Sequence, residues 1–210
     1  MIDLERRDDV VVVRWHDGEN RFDRRSTDRW HAVLDELEAV DGPLAIVVTG
    51  DGKYFSNGLD LDSFAADPDG AGEVVAGVHR LLGRLLLLPA YTVAALNGHT
   101  FAAGAMLACC ADARVMREDR GYWCLPEADL GLPLTPGMLA AVTSRLPVAT
   151  AAEAMNTGRR YTAPEAIAAG LVEQAVPEDR VLDAAVERAA AVAGKRRPGI
   201  APHKRLAFGD

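Results

Sequence analysis

Four short apolar runs, Val10–Trp15, Leu44–Thr49, Tyr91–Leu96 and Ala113–Met116, are spaced along the chain with helix-forming segments between them. Runs this short and this rich in apolar residues, Arg14 and Arg114 aside, read as strands, with Leu44–Thr49 of the buried type. Between the first two, Trp30, Val33, Leu34 and Leu37 recur at helical spacing behind Ser26 or Thr27, either of which can cap a helix. Val74–Leu88 reads as a second helix, closed by Pro89, and Ala103–Cys110 as a short helix of small residues. Four more helical segments follow, near 136–145, 149–157, 163–169 and 178–193. Strands that alternate with helices build a parallel sheet through right-handed crossovers, so the pattern predicts an α/β layered domain.

A chain of 210 residues with 49% hydrophobic content can bury one sizeable core. Its net charge of −8 and pI near 5.1 argue against a nucleic-acid partner, which would need a clustered basic face. The basic run Lys195-Arg196-Arg197 reads as a solvated helix end. Cys109, Cys110 and Cys124 lack metal-ligand spacing, and adjacent cysteines do not readily pair, so a reduced, cytoplasmic chain is expected. Asp3, Glu5, Arg6 and Arg7 stand where a signal peptide would be apolar, and no run reaches the ~20 apolar residues of a membrane helix.

Two segments carry the chemistry. Phe55-Ser56-Asn57-Gly58-Leu59-Asp60-Leu61 and Asn97-Gly98-His99-Thr100-Phe101-Ala102-Ala103-Gly104 are both apolar runs that stop at a small, glycine-containing turn. Two such turns can aim backbone N–H groups at one point, the arrangement that stabilises an oxyanion. The second turn opens a helix at Ala103, where unpaired N–H groups and the helix dipole favour an anion. Taken singly, Asn57-Gly58 and Asn97-Gly98 are also ordinary turn dipeptides. A third segment, Leu125-Pro126-Glu127-Ala128-Asp129-Leu130-Gly131-Leu132, sets a carboxyl among apolar residues, where burial would raise its pKa, although a glutamate after proline read alone is better taken as a helix N-terminal residue favoured by the dipole.

Together these segments resemble the crotonase superfamily of enoyl-CoA hydratases and isomerases, and most closely its Δ3,Δ2-enoyl-CoA isomerase branch. The similarity runs from about residue 9 to about residue 206 and is strongest between 44 and 132. It implies a spiral of repeated ββα units over residues 1–195, with 196–210 a shortened helical C-terminal part. Family members usually extend well beyond Asp210, so the resemblance also implies a homotrimer or dimer of trimers built with less terminal helix than usual.

The resemblance assigns the oxyanion donors to the backbone of Asn57 and Ala103, and the catalytic carboxylate to Glu127. A hydratase of the family carries a second glutamate three residues after the second donor; Met106 occupies that position here and cannot transfer a proton. One carboxylate suffices to move a double bond, taking a proton from C2 of a 3-enoyl thioester and returning it at C4. The expected activity is therefore conversion of 3-enoyl-CoA to 2-trans-enoyl-CoA in fatty acid metabolism. The alternatives are a hydratase, lyase or hydrolase with an unrecognised second group, or a non-catalytic acyl-CoA-binding member. No nucleophilic Ser or Thr lies between Ala103 and Cys109 to support a related protease.

Coenzyme A is part of the substrate, and neither a separate cofactor nor a metal is expected. By resemblance Arg21 and Phe22 meet the CoA, Arg21 or Lys53 reaches a phosphate, and Phe55, Gly58, Leu59, Asp60, Leu61, Gly104 and Leu132 complete the substrate site. Asp60 is expected to accept backbone N–H bonds within its turn, and Asp129 to face solvent. His79 and His99 are expected to be structural, with His99 held by hydrogen bonds. The stripe Leu81, Leu82, Leu85 and Leu88 reads as core.

Overall fold

A computed structural model describes residues 1–209. The chain runs β1 (Ile2–Arg7), β2 (Val10–Trp15), β3 (Arg21–Phe22), α1 (Arg24–Glu38), β4 (Ala45–Gly50), β5 (Tyr54–Ser56) and β6 (Gly58–Leu59). It continues through α2 (Leu61–Ala66), α3 (Pro68–Leu87), β7 (Tyr91–Leu96), β8 (His99–Phe101), α4 (Ala103–Cys109), β9 (Ala113–Arg117), β10 (Trp123–Cys124) and α5 (Glu127–Leu130). Then come α6 (Pro136–Thr143), α7 (Val148–Thr157), α8 (Ala163–Ala168), β11 (Gln174–Val176), α9 (Val181–Ala193) and α10 (Arg197–Phe208).

The large sheet has the order β1-β2-β4-β7-β9-β11, antiparallel only between β1 and β2. Each of β2, β4, β7 and β9 is followed by a short strand outside that sheet: β3, β5, β8 and β10 respectively. The short strands pair among themselves as β10-β8-β5 and β3-β6, and a helix then returns to the next large-sheet strand. This repetition is the spiral of ββα units. It places the ends of all the short strands, with the turns that follow them, on one side of the molecule.

Burial on both faces explains why the central strands are mostly apolar. Val11, Val13, Ile46, Val48, Ala94 and Leu96 join one core with α1, α3 and α4. Val10, Val12, Ala45, Val47, Val93 and Ala95 face α9, whose Ala184, Ala185, Ala189 and Ala193 let the helix lie close to the sheet. Among the described residues no helix is long and apolar enough to cross a membrane.

Two expectations are corrected in detail. Helix α1 is capped by Asp23, whose side chain accepts the Ser26 N–H (2.7 Å) while the Ser26 hydroxyl accepts the Asp23 N–H (2.9 Å). Ser26 is thus the third helical residue of a reciprocal capping box, and Thr27 is buried beyond it. Helix α3 begins at Pro68, six residues before the apolar stripe, because Asp67 caps it by accepting the Gly70 N–H (3.1 Å). The 196–210 segment contains a twelve-residue helix, α10, anchored by buried Lys204, whose ammonium donates to Asp112 (2.7 Å) and to the Ala90 carbonyl (2.8 Å).

Candidate active site

The two glycine turns meet in space. Gly58 adopts φ +82°, and a Cβ there would stand 2.6 Å from the Ala102 Cβ and 3.2 Å from the Ala103 nitrogen. Gly104 lies against Ser56 in the same way, with a Cβ reaching 2.6 Å from the Ser56 Cβ. Both positions therefore need glycine so that β5, β6 and the start of α4 can approach. Buried Asn20 and half-buried Asn97 hold the flanking loops. Asn20 donates to the carbonyls of Trp15 (2.9 Å) and Phe55 (3.1 Å), and Asn97 accepts the Gly50 N–H (2.9 Å).

Accounting for each N–H identifies the donors available to a ligand. On the first turn the Asn57 N–H is given to the Glu19 carbonyl (2.9 Å), the Gly58 N–H to the Ser56 hydroxyl (3.2 Å) and the Asp60 N–H to the Phe22 carbonyl (3.0 Å). Leu59 pairs with Phe22 in the parallel β3–β6 ladder. In such a ladder Phe22 bonds to the residues flanking Leu59, so the N–H of Leu59 itself points away from β3. The assignment of the first donor to Asn57 is therefore corrected: its N–H is committed, and the available one belongs to Leu59. On the second turn Ala102 donates to the Cys124 carbonyl (3.1 Å), and the first intrahelical bond of α4 is Met106 N–H to the Ala102 carbonyl (3.0 Å). The N–H of Ala103, first residue of α4, is one of the orphan donors every helix start presents.

Leu59 and Ala103 line one cavity of about 490 Å³. Its body is apolar, formed by Leu59, Val75, Phe101, Met106, Pro133 and Met138, and its polar lining consists of Arg21, Asn57, Asp62, Glu127 and Thr135. Glu127 opens α5 and is 9% exposed. Its Oε2 is buried without a hydrogen-bond partner, and burial raises the pKa of its carboxyl above the usual range. Met106 is fully buried and also lines the cavity. A preformed apolar cleft lined by Leu59 and Ala103, with uncommitted N–H donors and one proton-transfer group, is suited to forming and quenching an enolate.

Residues 5–204 match the family model described as enoyl-CoA hydratase/isomerase. The chain belongs to the enoyl-CoA hydratase/isomerase family. Within this crotonase superfamily its sequence sides with the isomerase branch. It is 33% identical to enoyl-CoA delta isomerase 3 of Arabidopsis thaliana, over 95% of this chain and 87% of the relative. It is 32% identical to the peroxisomal enoyl-CoA delta isomerase 2 of the same plant, over 95% and 88%. A Mycobacterium tuberculosis structure described as a probable enoyl-CoA hydratase superposes with a TM-score of 0.92 at 26% identity, over 100% of this chain and 89% of that one. An enoyl-CoA isomerase structure from the same bacterium gives 0.90 at 26%, over 100% and 91%.

Within this family member the expected site residues separate into two groups. Glu127, Ala103, Leu59, Leu61, Leu132 and Arg21 line the cavity, with Leu61 and Leu132 half-exposed at its rim. Gly58 and Gly104 are spacers behind it. Phe22 and Phe55 are corrected to core residues, 0% and 1% exposed, with Phe22 packed on Trp15 at a centroid distance of 4.7 Å. Lys53 is exposed outside the cavity lining, its ammonium over the Tyr54 ring. Asp60 accepts the Arg21 guanidinium (3.3 Å), and no backbone N–H bonds its side chain. Arg21 also donates to Glu19 (2.8 Å) and Asp62 (2.8 Å), so its charge is already matched and it has little left to offer a phosphate. Asn57 contributes its side chain, which donates to Glu19 (2.8 Å). Asp129 stays exposed over Gly158. His99 lies among the rings of Tyr54, Phe101 and Tyr122 with its Nδ1 buried and unpartnered, held by packing and not by hydrogen bonds.

Ala102 carries backbone strain: φ 51° and ψ −126° is a region that residues with a Cβ rarely occupy. Such a conformation costs about 1–3 kcal/mol. Ala102→Gly should raise stability by about 1 kcal/mol and the Tm by about 2–4 °C in thermal denaturation. An unchanged or lowered Tm would show that the methyl's packing outweighs the strain.

Proposed function

We propose that this family member is a Δ3,Δ2-enoyl-CoA isomerase acting on fatty acyl-CoA. The observation that carries the reading is that, among the described residues, Glu127 is the one carboxylate in the apolar body of the cavity, while Met106 fills the place of a second. The thioester oxygen of a 3-enoyl-CoA would sit between the N–H groups of Leu59 and Ala103. Glu127 removes a proton from C2; the electrons move through C2–C3 as the C3=C4 bond becomes C2=C3 and C4 takes the proton back from the same carboxyl. Negative charge collects transiently on the thioester oxygen, where the two donors stabilise it. The isomerisation is redox-neutral and proton-neutral, so this reading needs no cofactor beyond the coenzyme A of the substrate. The names of the Arabidopsis relatives support it.

Purified protein should convert 3-hexenoyl-CoA to 2-trans-hexenoyl-CoA, with hydration of 2-trans-hexenoyl-CoA at least about 10²-fold slower because the second acid–base group is absent. The base must be ionised to act, so kcat/KM rises with pH along its acid limb. Because burial raises the Glu127 pKa, that limb lies above the ordinary glutamate value of 4.5. Hydration as fast as isomerisation, or an acid limb at or below the ordinary value, would contradict the reading.

A further inference from the structure

Thr135 caps α6, its hydroxyl accepting the Met138 N–H (3.3 Å), and the same oxygen lies 2.8 Å from Nε2 of His79 on α3. The His79 ring packs against the bare side of Gly137, where a Cβ would stand 3.4–3.7 Å from ring atoms. Burial lowers the His79 pKa, so the ring is neutral at pH 7 and one of its nitrogens carries a proton.

A threonine hydroxyl has one proton to give and two lone pairs to receive with. The Met138 N–H takes one lone pair. His79 takes either the second lone pair or the proton, according to its tautomer. One hydrogen-bonding capacity is left in either case, and Thr135 lines the cavity. Of the other polar lining groups, Arg21, Asn57 and Asp62 are engaged with Glu19 and one another at the mouth, and Glu127 is taken by the chemistry. The apolar body therefore contains one unspent polar group with no part in moving a double bond.

We propose that Thr135, oriented by His79, is a specificity residue that hydrogen-bonds an oxygen carried on the acyl chain, so that the site favours hydroxylated acyl-CoA over the plain chain. This rests on the acyl-CoA reading of the cavity. An apolar cavity lacking such a partner would disfavour a hydroxyl, because the group would lose its water and gain nothing.

Binding of saturated esters tests this without turnover. Calorimetry would compare 6-hydroxyhexanoyl-, 7-hydroxyheptanoyl- and 8-hydroxyoctanoyl-CoA, each against its unsubstituted parent. At least one hydroxylated ester should bind about tenfold more tightly than its parent, the worth of one good hydrogen bond in a dry site. Thr135→Ser keeps the hydroxyl and should keep the preference; Thr135→Val should reverse it. His79→Phe retains a ring against Gly137 and should shrink the preference without weakening the parent ester, which identifies His79 as a positioning residue. Tighter binding of every parent by the wild-type protein, or a preference that survives Thr135→Val, would overturn the inference alone. Failure of all the esters to bind would overturn it together with the acyl-CoA reading.

Discussion

Glu127→Gln should lose about 10²–10⁴-fold in the turnover of 3-hexenoyl-CoA, the usual contribution of a positioned acid–base group. The loss should sit at the upper end, because both proton transfers pass through one carboxylate and buried Met106 offers no substitute. Glutamine has the same shape and no charge, so the variant should bind hexanoyl-CoA as well as the wild-type protein does. It should also be at least as stable. Burial holds the folded-state pKa of Glu127 above that of an unfolded carboxyl, so between the two values the folded protein binds the additional proton. Stability from this group is thus present below the unfolded pKa and is lost as pH rises through the folded one. At pH 7 the wild-type protein carries that loss and the glutamine variant does not. Turnover, ester affinity and Tm measured on the same preparation separate the outcomes. Activity retained within tenfold would remove Glu127 from the chemistry, and weakened ester binding would make its role one of shape.

The same residues show what a single sequence discloses and what it hides. Val10–Trp15 and Tyr91–Leu96 are observed with the bounds expected, because a strand buried on both faces writes its length as a predominantly apolar run, interrupted here by half-buried Arg14 and buried Thr92. The stripe Trp30, Val33, Leu34 and Leu37 and the stripe Leu81, Leu82, Leu85 and Leu88 are likewise buried as their spacing implies. The short strands β3, β5, β6, β8 and β10 are two or three residues long and too brief to carry a period, so they were invisible except through the family resemblance. The start of α3 was hidden by Asp67-Pro68-Asp69-Gly70, which reads as a loop unless the aspartate is recognised as a cap and the proline as a first-turn residue. The oxyanion donor is the more instructive miss. Side-chain identity says nothing about which backbone N–H is free. That is decided by the pairing of β6 with β3 and by the Glu19 carbonyl, 38 residues before Asn57 in the chain. Phe22 is core for a related reason: it follows the lining residue Arg21 in β3, and neighbours in a strand point to opposite sides. Thr135 carried no motif at all; only its meeting with His79 in space marks it out.

Gly58→Ala should lower kcat by about 10²–10³-fold, the effect of misplacing an oxyanion donor, although residue 58 donates nothing to the substrate. At φ +82° an alanine is strained in itself, and its Cβ would fall 2.6 Å from the Ala102 Cβ, inside any tolerable carbon–carbon contact. Relief comes only if β6 moves away from the start of α4, and that movement separates the N–H of Leu59 from the N–H of Ala103. The variant should also lose about 1–3 kcal/mol of stability from the backbone term. A loss of activity through partial unfolding is excluded by assaying well below the variant's measured Tm. The double variant Gly58→Ala, Ala102→Gly discriminates further, because it deletes the methyl that the new Cβ strikes and relaxes the strained φ of residue 102. If spacing between the turns is what the chemistry requires, the double variant should recover about tenfold or more of the lost kcat, a coupling of about 1.4 kcal/mol in a double-mutant cycle. Additive effects would place the damage in the φ of residue 58 itself, and a single variant with wild-type kcat would show that the two turns need not touch to hold an oxyanion.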